Sequence, residues 1–152
     1  MTQKKHSADW YLAFTHYLTA GFVIPAVVGF AFVFLSIPLV GMGPDGTPAN
    51  PALTLPMNIL SVAVGLFSVW LGVKYSASYL KKTYDLSHAR RVVHLATLYF
   101  VVIGLLFEVG TIWGDYSSGV SPGEMVIYAA IDLLVSALGA GVFYYESRRR
   151  LL

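Results

Sequence analysis

The sequence predicts an all-α, integral membrane four-helix bundle with both termini on the cytoplasmic side. Three observations predict it. The chain of 152 residues is 57% hydrophobic and only 12% charged, whereas soluble domains are about 25% charged. It holds four apolar stretches, each long enough for the roughly 20 residues of helix that cross a bilayer core. Its ten lysines and arginines fall in or beside three segments: the start, the second connection and the end. A soluble domain of this size could not hide so much apolar surface. A soluble globular domain, a disordered chain and a nucleic-acid binder are therefore excluded. The absence of cysteine removes disulfides, thiolate chemistry and Cys-ligated metals. One membrane domain, residues 1–152, accounts for the chain, because no linker divides it.

A polar start, residues 1–9, precedes the first apolar run, at about residues 10–40, which carries no formal charge. That run is too long for the roughly 7–15 apolar residues of a secretory signal, so it reads as a retained span. Within it Gly21, Pro25 and Gly29 step by four, which predicts a kink near Pro25 and a close helix contact. Residues 41–52, GMGPDGTPANPA, are a loop by their Gly and Pro content. The second span, at about residues 53–79, is interrupted only by Lys74. A polar bridge, LKKTYDLSHAR, covers residues 80–90. The third span, at about residues 91–113, contains Glu108. The turn DYSSGVSP follows, with Ser121 as N-cap and Pro122 at the first helical position. The fourth span, at about residues 123–147, contains Asp132. Such boundaries hold to about 2–4 residues.

Charge sets the expected orientation. The first and third loops carry no Lys or Arg, only Asp45 and Asp115. The positive-inside rule then places both termini in the cytoplasm, and the expected location is a prokaryotic cytoplasmic (inner) membrane. Trp10, Tyr11, Tyr75, Tyr79, Tyr84, Tyr144 and Tyr145 form the inner aromatic belt, and Trp113 and Tyr116 the outer one. Arg148, Arg149 and Arg150 read as a topology anchor, with a phospholipid headgroup site as the sharper alternative.

Small and polar residues mark helix contacts in lipid. In the second span these are Asn58, Ser61, Gly65, Ser68, Gly72 and Tyr75. In the third they are His94, Thr97, Val101, Gly104, Glu108 and Thr111, and in the fourth Ala129, Asp132, Ser136, Gly139 and Phe143. All step by alternating threes and fours, so left-handed packing is expected.

Two groups of residues strain a purely structural reading. Glu108 lies about 7.5 Å inside Trp113 and Asp132 about 10 Å inside Met125, at 1.5 Å per residue. The two acids thus share a depth, with Asn58 entering from the same side and Tyr128 one turn from Asp132. Intramembrane acids cost a few kcal/mol and mark function. With no cation beside them they cannot both ionise cheaply, so one is expected to keep a proton. That suits a proton relay or a cation site. His16 and His94 form the second group, at matched depth on the first and third spans. Such a pair can hold a b-type haem or a metal; otherwise no cofactor is expected. His16-x-x-Thr19-x-x-Phe22-Val23 is echoed by His94-x-x-Thr97-x-x-Phe100-Val101. The echo suggests two hairpins related by an axis along the membrane normal.

There is no P-loop, dinucleotide fingerprint, HExxH or GxSxG. Three function classes remain. The leading one is an assembly or accessory subunit acting by helix packing, as a homo-oligomer or with a membrane-protein partner in the lipid bilayer. The second is a proton- or cation-coupled small transporter or channel using Glu108 and Asp132. The third is a b-type cytochrome or membrane enzyme using His16 and His94.

Overall fold

A computed structural model describes residues 5–41 and 49–152. Lys4, Asp45 and most of the Gly/Pro loop lie outside the described residues. The architecture is all-α: four long apolar helical spans packed as a bundle, each long enough to cross a membrane.

The first span is composite. Helix α1 (Asp9–Tyr17) runs into a π-helical stretch (Leu18–Val23) and then α2 (Ile24–Val40). The expected disturbance at Pro25 takes this form. Pro25 has no N–H to donate and its ring crowds the preceding turn. The chain widens there, and the N–H of Ile24 reaches back five residues to the carbonyl of Thr19. A single 3-10 turn (Pro51–Leu53) leads into α3 (Thr54–Thr83), followed by α4 (Ala89–Ser117) and α5 (Pro122–Leu151). Helix α5 starts on a complete capping box: Ser121 and Glu124 satisfy each other's backbone N–H groups, with Pro122 in the first turn. At 30 residues, α3 and α5 are each about 45 Å long, against a hydrocarbon core of about 30 Å. Their ends therefore pass the apolar layer or the helices tilt.

The first span packs on the second and third, and the fourth on the same two. The first and fourth spans stand at opposite corners. An axis along the membrane normal would instead exchange the first span with the third across the bundle. These two are neighbours, so the packing does not carry the hairpin repeat.

The core sits at one end. Among the described residues the buried apolar side chains run from Leu12 to Ala20, Val69 to Leu80, Val92 to Ala96 and Phe143 to Leu151. Helix α2 buries nothing. This closed end also gathers the basic segments. Lys5 hydrogen-bonds through its backbone to Thr83 and Asp85, and His88 and Arg91 both face Asp9. At the other end α2 still packs on α3, but none of its residues is buried.

Close backbone approach explains the closed end. A Cβ on Gly72 would lie 2.7 Å from the Cα of Ala20 and 2.8 Å from its carbonyl oxygen. Only glycine lets α3 approach the π-helical stretch this closely. Phe100 fills a notch opposite: a Cβ on Gly21 would meet its ring at 2.8 Å and one on Gly139 at 3.5 Å. Its ring packs on Phe143 at 5.0 Å and edge-on to Tyr17 at 6.3 Å.

Candidate functional site

The closed end is held by a buried polar centre. His16 is 0% exposed. Its Nδ1 lies 2.9 Å from Ser76 Oγ and its Nε2 2.8 Å from Ser147 Oγ. A neutral imidazole donates through one nitrogen and accepts through the other, and a serine hydroxyl can complement either. One side chain thus ties α1 to α3 and, across the bundle, to α5. Phe143 packs against the ring at 5.3 Å.

A second polar group lies beside it. Glu146 is buried and takes Arg150 at 2.9 Å and Arg149 at 3.4 Å. Arg150 in turn lies 5.6 Å over the Trp70 ring, which also receives Lys74 at 5.5 Å. These contacts give Lys74, the one charge that interrupts the second span, a partner in the Trp70 ring. Cation–π attraction is strong where water is scarce.

Where the core ends, a cavity of about 630 Å³ opens between all four spans. Tyr17, Phe100, Val69 and Gly139, which line it, also belong to or adjoin the core. Its polar lining is Asn58, Ser61, Asp132 and Ser136, with Phe22 and Phe107 on the walls. Among the described residues no Lys, Arg or His lines it. Of the four residues in the expected polar intramembrane site, two lie together and two do not. Asn58 and Asp132 share the cavity. Tyr128 does not line it and is 48% exposed. Glu108 lies next door, on a groove of about 370 Å³ between α4 and α5. The two spaces share Phe100, Gly104 and Ser136 as lining. The Oε1 of Glu108 is buried with no hydrogen-bond partner among the described residues. No hydrogen bond joins Glu108 to Asp132 among them either.

The split comes from a one-residue rotation of α4. Its inward line runs Val93, Ala96, Phe100, Gly104 and Phe107, not through Val101 and Glu108. One residue is about 100° around a helix, which moves Glu108 from the centre to the side facing α5. Phe100 sets the rotation, because its ring fills the notch between Gly21 and Gly139.

His94 has other company than His16. It stacks near-parallel on Tyr144 at 6.1 Å and sits with Arg90 and Arg148 at the rim of the closed end. No described cavity is lined by both imidazoles, and His16 has both nitrogens engaged. The residues present do not fit a haem held between them. Among the described residues no three His, Asp or Glu side chains converge as a metal site.

The chain matches no protein-family model, no curated protein and no solved structure. The reading of function therefore rests on this geometry alone.

Proposed function

We propose that this protein binds a small organic cation inside the membrane, as the recognition step of a small transporter. The observation that carries this is Asp132, an acid on a ligand-sized cavity that no Lys, Arg or His among the described residues lines. A carboxyl group at this depth is costly and is matched by a proton, an ion or a cationic ligand. The aromatic walls of Tyr17, Phe22, Phe100 and Phe107 suit a cation with an apolar body. Asn58 and the two serines supply orienting hydrogen bonds.

The size of the cavity supports a ligand site. Drug-sized ligands occupy sites of about 300–1,000 Å³. The small residues that pointed to assembly are used, where they are buried, within the chain: Gly72 on Ala20 and Gly139 on Phe100. Glu108, on the adjoining groove, is the natural proton carrier for coupling.

The charge pattern supports an orientation with both termini cytoplasmic, which makes the closed end cytoplasmic and opens the cavity outward. The heptad-like spacing supports left-handed packing.

The test is equilibrium binding of tetraphenylphosphonium to the purified chain. Asp132→Asn should weaken binding by at least about 30-fold, the usual effect of removing one partner of a desolvated charge pair. Glu108→Gln should retain binding but abolish proton-driven uptake in proteoliposomes. Equal binding by wild type and Asp132→Asn would reject the site, and unchanged uptake in both variants would reject the carboxylate mechanism.

A further inference from the structure

The closed end carries a second feature, independent of the cavity. We propose a binding site for a phosphate group where α4 begins and α5 ends. A cavity of about 290 Å³ there is lined by Arg90, Val93, His94, Tyr144, Arg148 and Leu152. It adjoins a wider depression that adds His88 and Arg91. Among the described residues no acidic side chain lines either space.

The other arginines of this end are disposed differently. Arg91 lies 3.7 Å and His88 3.4 Å from the Asp9 carboxylate. Arg149 and Arg150 share Glu146. Among the described residues, Arg90 and Arg148 face no carboxylate. Charges that served only to orient the chain would gain by spreading into water. Instead two helices bring both unpaired guanidiniums to one cavity, together with an imidazole.

Phosphate is the anion that this set fits. A guanidinium presents a planar fork of N–H donors that binds phosphate oxygens in pairs. Arg90 lies in the first turn of α4, where the helix dipole adds positive potential. The Tyr144 ring keeps His94 flat against α5, and its hydroxyl is a further donor. Val93 and Leu152 give the site an apolar flank, and Leu98 continues an exposed apolar surface one turn further along α4. A phospholipid headgroup and free inorganic phosphate offer the same chemistry, and the apolar flank favours the lipid.

The test uses the full chain in a zwitterionic detergent. Dioctanoyl phosphatidic acid, dioctanoyl phosphatidylglycerol, dioctanoyl phosphatidylcholine and inorganic phosphate are titrated separately, with thermal stability and binding as readouts. The anionic lipids should bind and raise the melting temperature. The double variant R90Q/R148Q should bind them about 30-fold more weakly, at the usual contribution of each arginine near an anionic headgroup. Its melting temperature without lipid should be unchanged, because neither side chain holds an internal partner. The control K81Q/K82Q removes the same charge from the same end and should bind as wild type. Protection by inorganic phosphate equal to that by lipid would support the phosphate site and assign it to the free anion. Equal weakening in the control, or equal binding of phosphatidylcholine, would overturn the proposal.

Discussion

Gly72→Val is expected to be the most damaging single substitution in the chain. The new Cβ would fall 2.7 Å from the Cα of Ala20 and 2.8 Å from its carbonyl oxygen. Both are backbone atoms, so no side chain can swing aside. Overpacking of an ordinary core costs about 1–3 kcal/mol; here helices must separate, and a loss of about 3 kcal/mol or more is expected. Nothing lies within 4 Å of a Cβ built on Gly110. Gly110→Ala should therefore be neutral, or stabilising by up to about 1 kcal/mol through helix propensity. Reversible unfolding of the two variants in mixed micelles measures both effects. Equal behaviour of the pair would remove the close contact from the account.

His16→Leu is expected to have the second largest effect. It keeps most of the volume but leaves Ser76 and Ser147 without the ring at 2.9 and 2.8 Å. Interhelical hydrogen bonds in membrane bundles contribute about 0.6 kcal/mol on average and up to about 1.7. Two of them, with two hydroxyls stranded in a dry core, give an expected loss of about 1–3 kcal/mol. Ser76→Ala and Ser147→Ala should each cost about half as much. Their losses should not add to that of His16→Leu, because the ring that each hydroxyl serves is already gone. Full additivity in a double-mutant cycle would show that the serines do not act through His16.

The sequence made some of this legible and hid the rest for physical reasons. The spans, the Ser121–Pro122 start of α5 and the gathering of basic segments at one end are visible, because each depends on local residue chemistry. The inward face of α3 was nearly right: Asn58, Ser61 and Gly65 line the cavity and Ser68 and Gly72 are buried. Tyr75, however, is 59% exposed, and Ser76 turns inward to meet His16. The face of α4 was missed by one residue. A rule that seeks small and polar residues passes over Phe100, whose place depends on gaps left by Gly21 and Gly139 on two other spans. Nothing in the local sequence records that notch. The same rotation puts Glu108 on the groove that adjoins the cavity of Asp132, where spacing along single helices suggests one shared site. Glu146 is legible in the sequence. Its spacing of three and four from Arg149 and Arg150 is a helical ion-pair pattern. His16 was noticed for depth, but two serines on distant spans could be matched to it only in the fold.

The proposed transporter is a bundle closed at the basic end, with a water-accessible, cation-binding cavity at the other. The chain has no cysteine, so single cysteines can report on it directly. Ser61→Cys and Ser136→Cys, on the cavity, and Ser68→Cys and Ser76→Cys, in the closed end, are treated in sealed vesicles with a membrane-impermeant maleimide from the outside. The account predicts rapid labelling of the first pair and none of the second. It also predicts protection of the first pair by tetraphenylphosphonium, lost when Asp132→Asn is added. Equal labelling at all four positions, or cavity labelling that the cation does not slow, would contradict it.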